Sequence, residues 1–275
     1  GGVICAGDPG LNRIVKYLPQ LPASDFNGES LYVRVHEANG YRIFSPFYVP
    51  TLDPYDRYEC HVGLGYQRMV SEFYGIRTAV TIFVPRGAPV EIRDIQVTNL
   101  RQEAVALDLI PVAEYSHFDA LKQFTNADWV PQTMMSDALR DTDGHVVLTQ
   151  YAFMRKDTLQ NYFTANLPVD SFETDRALFL GRHEYGTWRE PLSLLKARLS
   201  NTEARRGQNI AALCMRLGEL APGATRRAIT QLGQAHPEKM DALVNRYRDA
   251  GEVDRAFAEN KAWWDGCLSV FSCET

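Results

Sequence analysis

Residues 77–84 read RTAVTIFV, residues 90–100 read VEIRDIQVTNL, and the turn Pro85-Arg86-Gly87 follows the first run. Both runs are short and contain many β-branched residues, and turn-separated runs of this kind are typical of β-strands. In the first run the apolar side chains fall on both faces, which indicates a strand that is covered on both sides. The two runs predict two short strands separated by a turn.

Similar runs occur on either side of this pair. The other predicted strands are residues 31–35, 104–112, 145–153, 160–166, 210–217 and 225–232. Asp141-Thr142-Asp143-Gly144 predicts a turn before the run at 145–153, and Ala221-Pro222-Gly223 predicts a hairpin between the last two runs. Many short strands at this spacing predict a mainly β protein with a sandwich architecture.

The pattern changes after residue 235. Pro237 suits the first position of a helix, and apolar residues then recur at helical spacing through Tyr247 and, beyond Gly251, from Val253 to Phe271. We therefore predict a β domain over residues 1–235 and a helical linker over residues 236–275. Trp263, Trp264 and Phe271 cannot form a core on so short a segment, so we expect them to pack on the β domain, on another subunit, or on a part of the polypeptide beyond Thr275.

Composition excludes several classes of protein. The 275 residues carry a formal net charge of −5, whereas nucleic-acid and anionic-membrane binders need a basic surface. No apolar run reaches the length of a membrane span, and the first eleven residues do not resemble a signal peptide. The five cysteines are odd in number and irregularly spaced, which favours a reduced, cytoplasmic protein.

Motifs that carry chemistry on their own are missing from the sequence. There is no phosphate-binding glycine loop, no nucleophile elbow and no His-Glu-x-x-His zinc motif. The Asp141–Gly144 turn lacks the downstream acidic ligand of a calcium loop. Cys60 and His61 are strand neighbours whose side chains point to opposite faces. We therefore predict no catalytic residue, no metal site and no cofactor in this chain.

One long stretch carries a family resemblance. It comprises FSPF at residues 44–47, YECHVGLGY at 58–66, SEFYGI at 71–76 and TIFVP at 81–85. This stretch is similar to the N-terminal domain of the cellobiose phosphorylase family, glycoside hydrolase family ninety-four, formerly glycosyltransferase family thirty-six. Members of that family typically show FSP, YECRHGLGYT, SEYNGI and TYFVP in this order. His61-Val62 departs from the Arg-His that the family often has.

A second stretch, residues 164–191, resembles cellodextrin-phosphorylase-like members. It includes Asp175-Arg176, Phe179-Leu180-Gly181 and Tyr185-Gly186-Thr187-Trp188. The tail at residues 260–264 (NKAWW) is similar to the linker helix that precedes the catalytic barrel of the family.

The resemblance implies a fold and an activity. Members have a super-β-sandwich of the galactose-mutarotase-like kind, a helical linker, an (α/α)₆ barrel and a small C-terminal domain, and they form homodimers. They cleave β-linked gluco-oligosaccharides with inorganic phosphate as co-substrate and release α-glucose 1-phosphate with inversion. A barrel aspartate is the general acid, and phosphate takes the place of the water that an inverting hydrolase activates. We therefore expect this chain to be an N-terminal, non-catalytic portion whose partner is the remainder of the phosphorylase polypeptide.

The segment from Gly181 to Arg189 (GRHEYGTWR) is the candidate for sugar contact. It is dense in aromatic and hydrogen-bonding groups, the combination that sugar sites use. In the family the corresponding loop approaches the acceptor end of the active site. The substrate-binding candidates are Arg182, Glu184, Trp188 and Arg189, and interdomain packing remains the alternative role for the segment.

Two other interpretations stay open. The chain could be a stand-alone carbohydrate-binding or interaction module with the same sandwich fold. It could also be a mutarotase-like epimerase, in which histidines on a sheet act with a carboxylate base. His117, His145 and Glu114 are the strand residues that could serve there, and nothing in the sequence pairs them. A barrel encoded beyond Thr275 would favour the phosphorylase, and a stop codon would favour the module.

Overall fold

The computed structural model describes residues 28–115, 133–154, 159–181 and 186–269. Thirteen strands are described: β1 Glu29–Glu37, β2 Gly40–Phe44, β3 Arg57–Gly63, β4 Tyr66–Phe73, β5 Ile76–Phe83, β6 Val90–Asn99, β7 Val105–Glu114, β8 Met134–Arg140, β9 Val146–Ala152, β10 Gln160–Ala165, β11 Ser171–Asp175, β12 Asn209–Leu220 and β13 Thr225–Ala235. Three α-helices accompany them: α1 Arg176–Leu180, α2 Pro237–Arg248 and α3 Ala250–Leu268. A 3₁₀ helix covers Leu192–Leu195.

The strands form two antiparallel sheets. The smaller sheet has five strands in the order β11-β12-β7-β1-β2, and the larger has eight in the order β3-β4-β5-β6-β13-β10-β9-β8. Their facing sides enclose one large apolar cluster, which includes Val33 of β1, Val97 of β6 and Leu213 of β12. In β1 and β12, for example, alternate residues point into this cluster, as the two-residue period of a strand requires.

The helical tail covers part of the outer face of the larger sheet. Met240, Val244 and Tyr247 of α2 are buried with Ile92 of β6 and Tyr162 of β10 in a second apolar cluster. Burial of each such side chain is worth roughly 1.5–3 kcal/mol. The packing therefore explains why two helices of this length are stable beside the sheet.

Residues 176–181 and 186–199 cover the outer face of the smaller sheet. Phe179, Trp188 and Leu194 of this segment are buried against Tyr32 and Ile110 in a third apolar cluster.

A buried ion pair also holds this segment. The Arg34 guanidinium lies 2.7 Å from the Asp108 carboxylate and donates to the carbonyl oxygens of Leu194 at 3.1 Å and Lys196 at 2.6 Å. The segment is thus fixed by hydrogen bonds as well as by apolar contact.

The prediction of a mainly β sandwich with a helical tail is confirmed, and each predicted strand corresponds to a described strand. The predicted hairpin at Ala221-Pro222-Gly223 is wrong. The strands on either side, β12 and β13, belong to different sheets, so the turn carries the chain from one layer of the sandwich to the other. A domain boundary at residue 235 stays a prediction.

The tail contacts the sandwich through its tryptophans. A Cβ at Gly65, in the β3–β4 turn, would lie 2.7 Å from Cδ1 of Trp264, and the Arg86 guanidinium lies 4.4 Å from the ring centre of Trp263. Phe271 lies outside the described residues. Among the described helices, none is long and apolar enough to cross a membrane.

Candidate functional site

Of the four substrate-binding candidates, the structure describes two. Arg182 and Glu184 lie outside the described residues. Trp188 is 2% exposed and belongs to the cluster on the outer face of the smaller sheet, whereas Arg189 is exposed. The two described neighbours therefore differ sharply in access to solvent, and contact of any of the four with a substrate stays a prediction.

Trp188 is anchored on three sides. Its ring centre lies 5.7 Å from that of Phe179, and the Arg176 guanidinium lies 5.5 Å from the ring. The Tyr32 hydroxyl donates to the Trp188 carbonyl oxygen at 2.6 Å. Burial raises the pKa of Tyr32 well above its usual value. Trp188 thus fixes the base of the 181–189 segment on β1.

Gly186 of that segment lies against the end of α1. Gly186 lies so close to the Leu180 carbonyl oxygen that a Cβ there would overlap it. Only glycine permits this approach of two backbones. Gly186 therefore lies beside Leu180, and Arg182 and Glu184 fall between Gly181 and Gly186 in the sequence.

A groove remains open on the outer face of the larger sheet, where α3 does not cover it. It consists of two adjoining cavities of about 380 and 370 Å³. Side chains of β3 to β6 line it, with Phe257 and Lys261 of α3 at one end: Arg57, Glu59, His61, Tyr66, Arg68, Val70, Arg77, Ala79, Thr81, Asp94, Gln96 and Thr98. We call this surface the open groove.

Ion pairs neutralise most charges in the open groove. Glu59 accepts hydrogen bonds from Arg57 and contacts His61 at 3.1 Å, and the Arg57 hydrogen bond is the main reason why the pKa of Glu59 is lowered. Asp94 pairs with Arg227 at 2.8 Å. A carboxylate that is held ionised in this way is unsuited to act as a general acid.

The residues considered for an epimerase, His117, His145 and Glu114, were all expected to lie in strands. His145 precedes β9 rather than lying in it, and its Nδ1 contacts the Asp141 carboxylate at 3.1 Å. Glu114 is buried in β7 and lies 3.2 Å from Arg176. Each of the two thus pairs with another residue, and no described contact joins His145 to Glu114. His117 lies outside the described residues. No cluster that could hold a metal ion occurs in the described ranges.

The open groove was missed in the sequence, although a signal for it exists. In residues 90–100 the polar residues Asp94, Gln96 and Thr98 alternate with buried Ile95 and Val97. That alternation predicts one solvated face at this end of β6. The first part of the same strand is buried throughout, because α2 and α3 cover it, and only the tertiary structure reveals where the cover ends.

Comparison with known proteins identifies a protein family and several relatives that this chain resembles. The domain described as "Glycosyl hydrolase 94, supersandwich domain" matches residues 1–250. The N,N'-diacetylchitobiose phosphorylase of Vibrio furnissii is 27% identical over 98% of the chain, and the match covers 33% of that protein. The cellobionic acid phosphorylase of Neurospora crassa is 24% identical over 88% of the chain and 30% of its own length. The chain thus spans about a third of the curated relatives it matches.

Solved structures support the fold. A bacterial glucoamylase complexed with acarbose superposes with a TM-score of 0.50 over 92% of the chain and 34% of that structure, at 12% sequence identity. At this identity the likeness concerns the fold alone. Taken with the domain match over most of its length, the two-sheet architecture shows that the chain belongs to glycosyl hydrolase family 94 and comprises its supersandwich domain.

Proposed function

We propose that the chain is the N-terminal, non-catalytic portion of an inverting phosphorylase. The complete enzyme would use inorganic phosphate as co-substrate, require no other cofactor, and release α-glucose 1-phosphate from β-glucosides. The observation that carries this proposal is the supersandwich match over residues 1–250 in a chain that spans a third of relatives named as phosphorylases. The catalytic acid would lie in the remainder of the polypeptide.

For the substrate we propose a β-linked gluco-oligosaccharide of the cellodextrin type. The relatives are named for different substrates, among them N,N'-diacetylchitobiose, cellobionic acid and a β-glucopyranosyl glucuronide. The resemblance of residues 164–191 to cellodextrin-phosphorylase-like members favours a longer gluco-oligosaccharide over these disaccharides.

For the 181–189 segment we propose a role in binding the accepting or departing sugar. Trp188 would hold the segment on the sandwich through its buried ring, while Arg182, Glu184 and Arg189 would supply hydrogen bonds to hydroxyl groups. A domain that carries no catalytic acid can affect the reaction only through binding, so the effect should appear in the constants for the oligosaccharide. Phosphate constants should change much less.

We further propose that the enzyme is a cytoplasmic homodimer. The support is the family resemblance and the absence of a paired cysteine set in the sequence. Analytical ultracentrifugation of the extended polypeptide should give twice the monomer mass, and a monomer at micromolar concentration would refute this part of the proposal.

The experiment for the proposed function uses the polypeptide extended through the reading frame that follows Thr275. It is incubated with inorganic phosphate and, in separate reactions, with cellobiose, cellotetraose, N,N'-diacetylchitobiose and cellobionic acid. We expect cellotetraose to give the highest kcat/KM, with the α anomer of glucose 1-phosphate identified by proton NMR. Release of the β anomer would exclude inversion, and preference for N,N'-diacetylchitobiose would exclude the cellodextrin assignment.

A further inference from the structure

Two cationic side chains in the open groove have no ion pair among the described residues. Arg68 of β4 is exposed, and its guanidinium makes no described hydrogen bond. Lys261 of α3 is also exposed, and its one described contact places the ammonium 5.7 Å from the Tyr66 ring centre. The neighbouring cations differ, because Arg57 pairs with Glu59 and Arg77 with Glu72.

The two cations converge on one cavity from different elements. Arg68 and Lys261 both line the cavity of about 370 Å³, a volume within the range of small-molecule sites. The same cavity holds Asp94, which shares the Arg227 guanidinium with Asp254 of α3. The cations of Arg68 and Lys261 outnumber the one negative charge that this group leaves unbalanced. The groove therefore offers two unsatisfied positive charges on a chain whose net charge is −5, so the local charge is opposite in sign to that of the protein as a whole.

We propose that the open groove binds a phosphate-bearing anion, with Arg68 and Lys261 as its charged ligands. A guanidinium can hold two phosphate oxygens at once, and an ammonium group adds a compact charge beside it. An acidic protein otherwise repels anions, so a net attraction at this place requires these two side chains.

Polar and aromatic neighbours suit a sugar phosphate. The Gln96 amide and the Thr81 hydroxyl line the same cavity and make no described side-chain hydrogen bond, so both are available to phosphate or sugar oxygens. Tyr66 and Phe257 meet edge to face at the end of the cavity, with ring centres 5.1 Å apart, and such rings can pack on the apolar face of a pyranose. The choice of a sugar phosphate over inorganic phosphate rests on the proposed function, whereas the anion site itself does not.

The test measures binding by isothermal titration calorimetry with the 275-residue chain. The ligands are α-glucose 1-phosphate, inorganic phosphate and glucose, and the variants are Arg68→Gln and Lys261→Gln. Arg226→Gln is the matched control, because Arg226 is an exposed arginine of the same sheet outside the groove. We expect saturable binding of both phosphate ligands, and each groove variant should weaken it roughly tenfold or more, the loss of one charge-assisted contact. Added salt should weaken binding as well.

The relative affinities for the three ligands identify what the open groove binds. Tighter binding of α-glucose 1-phosphate than of inorganic phosphate identifies a sugar-phosphate site, and equal binding identifies a site for inorganic phosphate. The proposal is overturned if no phosphate ligand binds saturably, if Arg68→Gln binds like the Arg226→Gln control, or if glucose binds as well as its phosphate. Thermal melts of all variants show whether a lost signal reflects unfolding. Because no turnover is measured, failure here leaves the proposed phosphorylase function untouched, and failure of that function leaves the inorganic phosphate result valid.

Discussion

The side-chain amide of Asn260 in α3 donates a hydrogen bond to the backbone carbonyl oxygen of Gly65 at 3.1 Å. Gly65 lies in the turn between β3 and β4, within the YECHVGLGY stretch that carries the family resemblance, and Asn260 is buried although it lies on a helix surface. The turn therefore serves as a docking point for α3. Trp264 packs against the same glycine. The contact between α3 and the turn therefore combines the Asn260 hydrogen bond with apolar packing.

Gly65→Ala should destabilise the protein more than Gly87→Ala. Both glycines have a positive φ, +73° and +75°, so both substitutions carry the same backbone strain. A Cβ at Gly65 also meets Trp264 and the Asn260 amide, whereas a Cβ at Gly87 meets nothing within 4 Å. We expect an additional cost of about 1–3 kcal/mol at Gly65 from this overlap. Chemical denaturation of the two variants measures it, and equal losses would show that α3 does not dock on the turn.

The Arg34–Asp108 pair should be worth far more than a surface pair on the next strand. Arg34 is 1% exposed. Arg34→Met would leave the buried Asp108 carboxylate with His36, 2.8 Å away, as its one described ion-pair partner. It would also leave carbonyl groups unpaired, so we expect a cost of about 3 kcal/mol. Arg42→Met removes the exposed pair with Glu37, which should cost less than about 1 kcal/mol. Urea unfolding compares the two variants, and similar losses would mean that the 192–197 segment is not held by Arg34.

Stability should fall as the pH rises above 4.5, in part because of Glu29. Glu29 is buried between the sheets with Arg93 and Glu91, and burial raises its pKa well above the usual value of 4.5. At a pH between 4.5, the pKa of Glu29 in the unfolded chain, and its raised pKa in the folded protein, the folded state keeps a proton that the unfolded state has lost. The stabilisation is therefore complete below pH 4.5 and is lost as the pH passes through the folded pKa, with a slope of up to about 1.4 kcal/mol per pH unit.

The variant Glu29→Gln isolates this contribution, because Glu173, whose pKa is also raised by burial, is unchanged in it. We expect its free energy of unfolding to depend less on pH than that of the wild type, from pH 4.5 up to neutrality. Parallel curves for the two proteins would show that Glu29 titrates alike in the folded and unfolded states.

The sequence predicted the architecture better than the connections. Runs rich in β-branched residues, such as residues 77–84 and 90–100, identify strands, and the distribution of their apolar residues reflects which faces are covered. The turn at 221–223 was misassigned because a Pro-Gly turn determines the local reversal of the chain, not whether the next strand pairs with the previous one or joins the opposite sheet. That choice depends on contacts that are distant in sequence.

For the 181–189 segment, the sequence predicted the kinds of side chain present but not which of them are exposed to solvent. The composition of the 181–189 segment indicated aromatic and charged groups, and only the fold shows that Trp188 is buried while Arg189 is exposed. The open groove depends on where α3 stops covering β4 to β6, and that boundary is a property of helix packing on the sheet.

Trp188→Ala and Arg189→Ala should separate two roles of the 181–189 segment: holding the segment on the sandwich and contacting the oligosaccharide. In the 275-residue chain, Trp188→Ala should cost about 3–5 kcal/mol, the usual loss for a buried tryptophan, and Arg189→Ala should change the stability by less than about 0.5 kcal/mol. In the extended enzyme, Arg189→Ala should raise KM for the oligosaccharide by roughly 5-fold or more while leaving KM for phosphate nearly unchanged. Thermal melts and steady-state kinetics with each substrate varied separately provide the measurements. A uniform change in both KM values would indicate interdomain packing instead.

The central claim is that this chain supports a phosphorylase but does not itself catalyse the reaction. The most direct measurement is a coupled assay for glucose 1-phosphate, run on cellotetraose and inorganic phosphate with equal molar amounts of the 275-residue chain and of the polypeptide extended beyond Thr275. We predict no product above the enzyme-free blank for the chain and sustained turnover for the extended polypeptide. Robust release of glucose 1-phosphate by the 275-residue chain alone would contradict it.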